Sequence, residues 1–269
     1  MQTRNSRMNE RLQGKVIAII GGASGIGRAT AERLASEHAV VAIGDLNEQG
    51  ADEAAREIND AGGTAWGCRV DISIEAQVAD FLDRAADRFG GLDGLFNNAA
   101  DLRPSMQSQD TDAVDIPLAI WNHTLNVNLT GYLYGIRHAV PHLLSRGGGS
   151  IVNTVSDSVY LGETVRLAYA VSKAGIVALS NNTAARWGQE GIRSNCLSPG
   201  VTLTPGGEKL MPIEWQESML RGMPTPRLGR PADQAAVAAM LLSDDSEFLN
   251  GQTIRVNGGN LLGTTTLGK

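Results

Sequence analysis

Positive charge is scarce in this chain, cysteine is nearly absent, and long apolar runs are missing. Against 29 acidic residues stand 23 basic ones, a net charge of −6, with no cluster of Lys or Arg anywhere. That leaves no electrostatic footprint for nucleic acid. Cys68 and Cys196 lie far apart and neither belongs to a C-x-x-C pair, which excludes a disulfide framework and fits a reducing, cytoplasmic setting. Both thiols read as small buried apolar groups. The first apolar stretch, Val16 to Ile20, ends after five residues at a pair of glycines, too short for a signal-peptide core or a membrane span. Aromatics make up 4% of the chain. Trp66, Trp121, Trp187 and Trp215 are too scattered to form a stacking platform and read mostly as core or interface anchors. His138 and His142 have a metal-compatible spacing, but Pro141 intervenes and no acidic partner lies between them, so no metal site is expected.

What is present is a rhythm. Short β-rich runs alternate with longer helix-patterned ones over 269 residues, the signature of a parallel sheet in one large α/β domain. Strands are expected at Val16 to Ile20, Val40 to Ile43, Ala65 to Val70, Leu92 to Phe96, Ser150 to Val155, Ile192 to Leu197 and Thr253 to Val256. Between them fall helices from about Gly25, through Ala51 to Ile58, around Val78 to Phe89, a long one ending near Leu144, one carrying Tyr169, and one near Ala232 to Leu242. The fold expected is a doubly wound, seven-stranded parallel sheet with helices on both faces. Residues 1–13, polar and containing Arg4, Arg7 and Arg11, read as a disordered tail, with Met8 a conceivable start, and 14–269 as the domain. Two stretches break the rhythm: Asp101 to Pro117 reads as a loop, and Leu203 to Pro231 holds five of the nine prolines. Both follow strand C-termini, the edge where such sheets bind ligands.

Ile20-Gly-Gly-Ala-Ser-Gly-Ile-Gly27 lies between a predicted strand and a predicted helix. Its backbone can approach a pyrophosphate closely and offer helix N-terminal amides. Asp45 ends the second strand, where a carboxylate accepts hydrogen bonds from ribose hydroxyls and repels a 2′-phosphate. No Lys or Arg sits in the turn, and Leu46 and Asn47 follow Asp45, so NAD is the expected cofactor. Tyr169 and Lys173, four apart on a helix, point the same way, and Ser156 precedes the tyrosine by thirteen residues. A free tyrosine titrates near 10, so a lysine cation and an oxidised nicotinamide beside it favour the phenolate.

From Lys15 to Gly259 the chain resembles the short-chain dehydrogenase/reductase family in its single-domain branch. The resemblance rests on the glycine turn, Asp71-Ile72, Asn97-Asn-Ala-Ala100, Asn128, Ser156, Tyr169-x-x-x-Lys173, Pro199-Gly200 and Val256-Asn-Gly-Gly259. It implies a Rossmann fold in which Tyr169 exchanges a proton with an alcohol or carbonyl oxygen and Ser156 hydrogen-bonds that oxygen. Lys173 tunes the phenol and holds the nicotinamide ribose, while Asn128 supports a proton relay. It further implies that Gly21, Ser24, Gly25, Ile26 and Gly27 form the pyrophosphate turn, Asp71 and Ile72 line the adenine, Asn98 meets the ribose, and Thr202 and Thr204 meet the nicotinamide amide. Three positions depart from the family pattern: Ile20 for threonine, Ala100 for glycine, and Asn257 for aspartate. None removes a reacting group.

The resemblance makes 203–231 a substrate lid, and Leu203, Leu210, Met211, Ile213, Trp215, Met219, Leu220 and Met223 make it apolar. Tyr160, Leu161 and Val165 would line the opposite wall, with Asp157, Glu163 and Arg166 able to meet a polar group or only water. The expected reaction interconverts a secondary alcohol and a ketone on a hydrophobic cyclic, aromatic or steroid-like molecule. Acyl-carrier, sugar-alcohol and non-catalytic NAD-binding readings stand as alternatives. No membrane or nucleic-acid partner is expected, and the resemblance implies a homotetramer or homodimer.

Overall fold

A computed structural model describes residues 11–208, 211–221, 223–260 and 262. Seven strands, β1 Val16–Ile20, β2 Val40–Asp45, β3 Thr64–Arg69, β4 Gly94–Asn97, β5 Gly149–Thr154, β6 Ile192–Pro199 and β7 Thr253–Val256, form one parallel sheet in the order β3-β2-β1-β4-β5-β6-β7. The helices are α1 Gly25–Ser36, α2 Glu48–Asp60, α3 Glu75–Phe89, α4 Leu118–Leu125, α5 Gly131–Ser145, α6 Leu167–Trp187, α7 Ile213–Arg221 and α8 Pro231–Leu242.

β1 shows why the sheet is covered on both sides. Its five residues are all apolar and all buried, as a central parallel strand requires. Val16, Ala18 and Ile20 enter one core with residues of α3, α5 and α6, while Ile17 and Ile19 enter the other with α1, α2 and α8. Strand order reverses between β1 and β4, which opens a crevice at their C-terminal ends. Gly21, Asp45, Asp71, Asn98, Ser156, Thr202 and Asn257 all lie on that edge, each at the end of a strand or within three residues of it.

Three local features differ from expectation. The tail does not extend to Gln13: Leu12 is fully buried in the α1/α2 core, and Arg11 pairs with Glu37 and, at 2.7 Å, with Asp245. Burial of a leucine outweighs the ordering cost that the polar neighbours suggested. Residues 1–10 lie outside the described residues. The long helix before Leu144 is broken by a π-turn, Asn126–Thr130, between α4 and α5. The segment 101–117 contains a one-turn helix, Pro104–Gln107, and a buried carboxylate, Asp110. No described helix is long and apolar enough to cross a membrane.

Because Leu12 fills a closed core, Leu12→Ala is expected to lower unfolding free energy by about 2–4 kcal/mol, measured by urea denaturation. A loss under about 0.5 kcal/mol, as at a surface position, would place Leu12 in the tail after all.

Candidate active site

The glycine turn is built from close approaches. Gly21 has φ +90°, and a Cβ there would lie 2.5 Å from the Ala99 nitrogen; one on Gly27 would lie 1.9 Å from the Gly21 carbonyl oxygen. Those two positions need glycine. α1 then starts at Gly25 with Ser24 extended at its N-cap, no side-chain cap and no acid in its first turn. Its terminal amides therefore face the crevice without a side-chain cap among the described residues, an arrangement that favours an anion. Ile26 packs against the core below, and Thr204 approaches from above, its Cγ2 3.1 Å from where a Gly25 Cβ would stand. These residues fit the pyrophosphate of a dinucleotide.

Asp45 accepts from Ala23 N–H at 2.9 Å and from Asn47 N–H at 2.9 Å. The carboxylate is held against the turn, with lone pairs left for hydroxyls. Arg69, exposed at the end of β3, is its register partner. Asn98 donates to the Gly21 carbonyl at 2.9 Å and accepts from Thr154 Oγ1 at 3.0 Å, so its amide ties β1 to β5. Asp71 spends one carboxylate oxygen on Ser73, and Ile72 is buried at 5% exposure against Gly131. The Thr202 hydroxyl donates to Gly200 O at 3.1 Å and accepts from Gln234 at 3.2 Å.

Lys173 is 1% exposed. Its ammonium donates to the Thr154 carbonyl at 2.8 Å and to Tyr132 Oη at 3.4 Å, and stands 5.8 Å from the centre of the Tyr169 ring. Thr154 ends β5, two residues before Ser156, so lysine, tyrosine and serine converge at one strand end. Burial pushes the Lys173 pKa down to about 7. Burial also raises that of Tyr132 well above 10, which keeps this second phenol neutral. Ser156 Oγ accepts from Ser158 N–H at 3.2 Å and so retains its own proton for donation.

Asn128 is fully buried within the π-turn. Its Oδ1 accepts from Asp101 N–H at 3.2 Å, while its buried Nδ2 has no partner among the described residues. A π-turn redirects side chains and recurs at functional sites. Leu129, in the same turn, packs over Gly175 of α6, where a Cβ would come within 2.9 Å. The small residue two positions past Lys173 brings Asn128's turn close to the catalytic helix.

Sequence reasoning passed over Asp110 and Asp101, and left Arg166 and Asp157 open between contact with a polar group and contact with water. Asp110, 4% exposed, accepts from the backbone N–H groups of Ala168 and Tyr169 at 2.8 and 2.9 Å, capping α6 from a distant loop. Asp101 meets Arg103 and, at 2.9 Å, His123; burial alone would raise its pKa, but these bonds outweigh it and hold it at about 2. The Arg166 guanidinium lies 4.3 Å from the centre of the Tyr169 ring. Asp157, beside Ser156, is 4% exposed and accepts from Ser198 at 2.9 Å and from the Asn257 amide. The sequence signal for Asp110 and Asp101 was only an acidic loop after a strand. His138 and His142, by contrast, reach separate carboxylates on α3, Glu75 and Asp83, and no group of His, Cys, Asp and Glu among the described residues could hold a metal ion.

The Asp157 network accounts for one departure. Asn257 supplies an N–H donor to Asp157, and its Oδ1 accepts from Gly259 N–H at 2.9 Å. An aspartate there would oppose one carboxylate with another. Gly258 and Gly259, at φ +62° and +82°, follow, and Met223 and Pro224 pack where their Cβ atoms would be. The end of β7 thus anchors 203–231. Within that segment Ile213 and Trp215 are 71% and 39% exposed, so they do not fasten α7 to the sheet; Leu210 lies outside the described residues.

The family described as Enoyl-(Acyl carrier protein) reductase matches residues 21–260. The chain is 37% identical over 252 residues to cis-4-hydroxycyclohexanecarboxylate dehydrogenase of Sinomonas cyclohexanicum, covering 94% of this chain and 98% of that one. It is 32% identical to levodione reductase of Leifsonia aquatica, covering 96% and 98%. A crystal structure of levodione reductase superposes with a TM-score of 0.86 at 30% identity, covering 94% of this chain and all of that one.

Two outcomes follow from the buried groups. Asn257→Asp is expected to cost about 2–4 kcal/mol in urea denaturation, because Asp157 loses a donor and gains a like charge; equal stability would remove Asn257 from this role. For Lys173, whose folded pKa is depressed to about 7, the unfolded chain binds more protons between about 7 and 10.5, so stability rises with pH across that window and is flat below it. In Lys173→Met that rise is expected to vanish relative to wild type, as measured by denaturation of the cofactor-free protein at stepped pH.

Proposed function

The chain belongs to the short-chain dehydrogenase/reductase family, and we propose that it interconverts a secondary alcohol and a ketone with NAD on a largely apolar cyclic substrate. The observation that carries this reading is the Lys173 ammonium, fixed 2.8 Å from the carbonyl at the end of β5 and 5.8 Å from the Tyr169 ring. In oxidation Tyr169 takes the hydroxyl proton. Lys173 stabilises the phenolate that accepts it, and the Thr154 carbonyl favours the ammonium against the cost of its burial. Ser156 donates to the reacting oxygen as charge develops there. The unpartnered Nδ2 of Asn128 suits a proton relay behind the lysine. NAD, when bound, supplies the hydride acceptor.

The carboxylate of Asp45 at the turn supports NAD over NADP, through ribose hydroxyls accepted and a 2′-phosphate repelled. Exposed Ile213 and Trp215 support an apolar substrate under 203–231. The two named relatives, acting on a hydroxycyclohexane acid and a dione, support a ring alcohol or ketone. The acyl-carrier chemistry in the family description is less favoured, because no basic cluster accompanies 203–231.

A panel of cyclic, open-chain and sugar alcohols followed by NADH absorbance tests the reading. Turnover is expected for ring alcohols with NAD above NADP in kcat/KM. Tyr169→Phe should lose about 10²-fold or more while still binding NAD. Higher kcat/KM with NADP would overturn the role of Asp45, and an active Tyr169→Phe enzyme would overturn the mechanism. Asp45→Ser is expected to shift preference toward NADP, with Arg69 as the available cation.

A further inference from the structure

Resting on that reading, we propose that the substrate carries an anionic group, a carboxylate on or near its ring, and that Arg166 is the residue that selects it. Arg166 occupies a conformation that non-glycine residues avoid, φ 65° and ψ 38°. Among the described residues the only other such case is His38, which follows α1 and ends it in an ordinary way. Arg166 instead precedes α6, and its backbone is clamped there: its N–H donates to Asp110 O at 2.6 Å, and the next N–H, of Leu167, donates to Thr111 O at 3.2 Å. Strain held in place by a buried loop at a reacting tyrosine points to function. Its result is a guanidinium laid on the Tyr169 ring at 4.3 Å.

The charge there is not cancelled by its surroundings. Among the described residues Arg166 has one ion-pair partner, Glu163, at 4.0 Å, the outer limit of such contacts, and its buried Nε has no hydrogen-bond partner there. Other acids near this edge are already engaged. Asp110 accepts two backbone N–H groups, Asp101 is held by Arg103 and His123, and Asp157 is held by Ser198 and Asn257 with Arg255 at 3.7 Å. Arg255 lies on Tyr160 and beside Asp157, so it has a countercharge of its own. A guanidinium with a third of its side chain exposed, beside the group that exchanges the proton, offers charge-assisted donors suited to a planar carboxylate. Lys173, the other cation beside the Tyr169 ring, is buried and directed at Thr154 O, so it does not compete.

The test compares 4-hydroxycyclohexanecarboxylate with its carboxamide, each with NAD, and reads the ratio of their kcat/KM values. Wild type is expected to favour the carboxylate. Arg166→Gln should lower that ratio about ten- to a hundredfold, chiefly through KM, and Arg166→Lys should recover part of it. Glu163→Gln removes the competing acid and should raise the ratio. A ratio unchanged in Arg166→Gln, or lowered in Glu163→Gln, would overturn the assignment. If the carboxamide turns over and wild type shows no preference, this proposal fails while the dehydrogenase reading stands; if no ring or other alcohol is oxidised, the underlying reading fails.

Discussion

A buried ammonium cannot be left without acceptors, and that constraint organises the catalytic half of this molecule. Lys173 is almost wholly enclosed, and its charge is tolerable only because the last carbonyl of β5 and the Tyr132 hydroxyl reach it. The same bond fixes α6 against the end of β5. It therefore sets the position of Tyr169, one turn earlier on the helix, relative to Ser156, two residues beyond the strand. Gly175 lets the π-turn of Asn128 pack close to α6, and Asp110 closes the start of that helix. Tyr169 and Ser156, the proposed proton acceptor and oxygen-binding hydroxyl, are thereby given fixed places before any substrate arrives, the preorganisation that the proposed catalysis needs.

A second constraint is electrostatic neutrality among acids at the crevice. Asp101, Asp110 and Asp157 are all more than half-buried, and each has a different solution: side-chain cations, backbone amides, and neutral donors with an arginine at 3.7 Å. Local pairing thus settles these three acids, while Asp45 keeps a carboxylate open at the glycine turn, where the α1 terminus offers partial positive charge.

Much of this was legible in the sequence, and the reasons are specific. β1 begins and ends where its apolar run does, because Lys15 precedes it and a pair of glycines stops it. The turn at Gly21 to Gly27 was legible because only glycine satisfies its contacts. Tyr169 and Lys173 were legible because helical periodicity places them on one face. What was not legible depends on contacts across the sequence. Asp110 acts on backbone groups 58 and 59 residues away, and no local pattern marks it. Leu12 sits among charged and polar neighbours, so its burial is decided by the α1/α2 core. The π-turn at Asn126 to Thr130 contains no glycine or proline that would mark a break in the helix.

Asn257 shows how a departure from a pattern can be more informative than agreement with it. From sequence alone it is a lost charge at the end of β7. In the fold it faces Asp157, whose backbone follows directly on Ser156, and the amide supplies the donor that this buried carboxylate requires. With asparagine at 257 the network holds one acid, Asp157, where an aspartate at 257 would make two that repel. Since Asn257 also leads into Gly258 and Gly259, where Met223 and Pro224 pack, that single hydrogen bond joins the residue after Ser156 to the packing of Met223 and Pro224 on the end of β7.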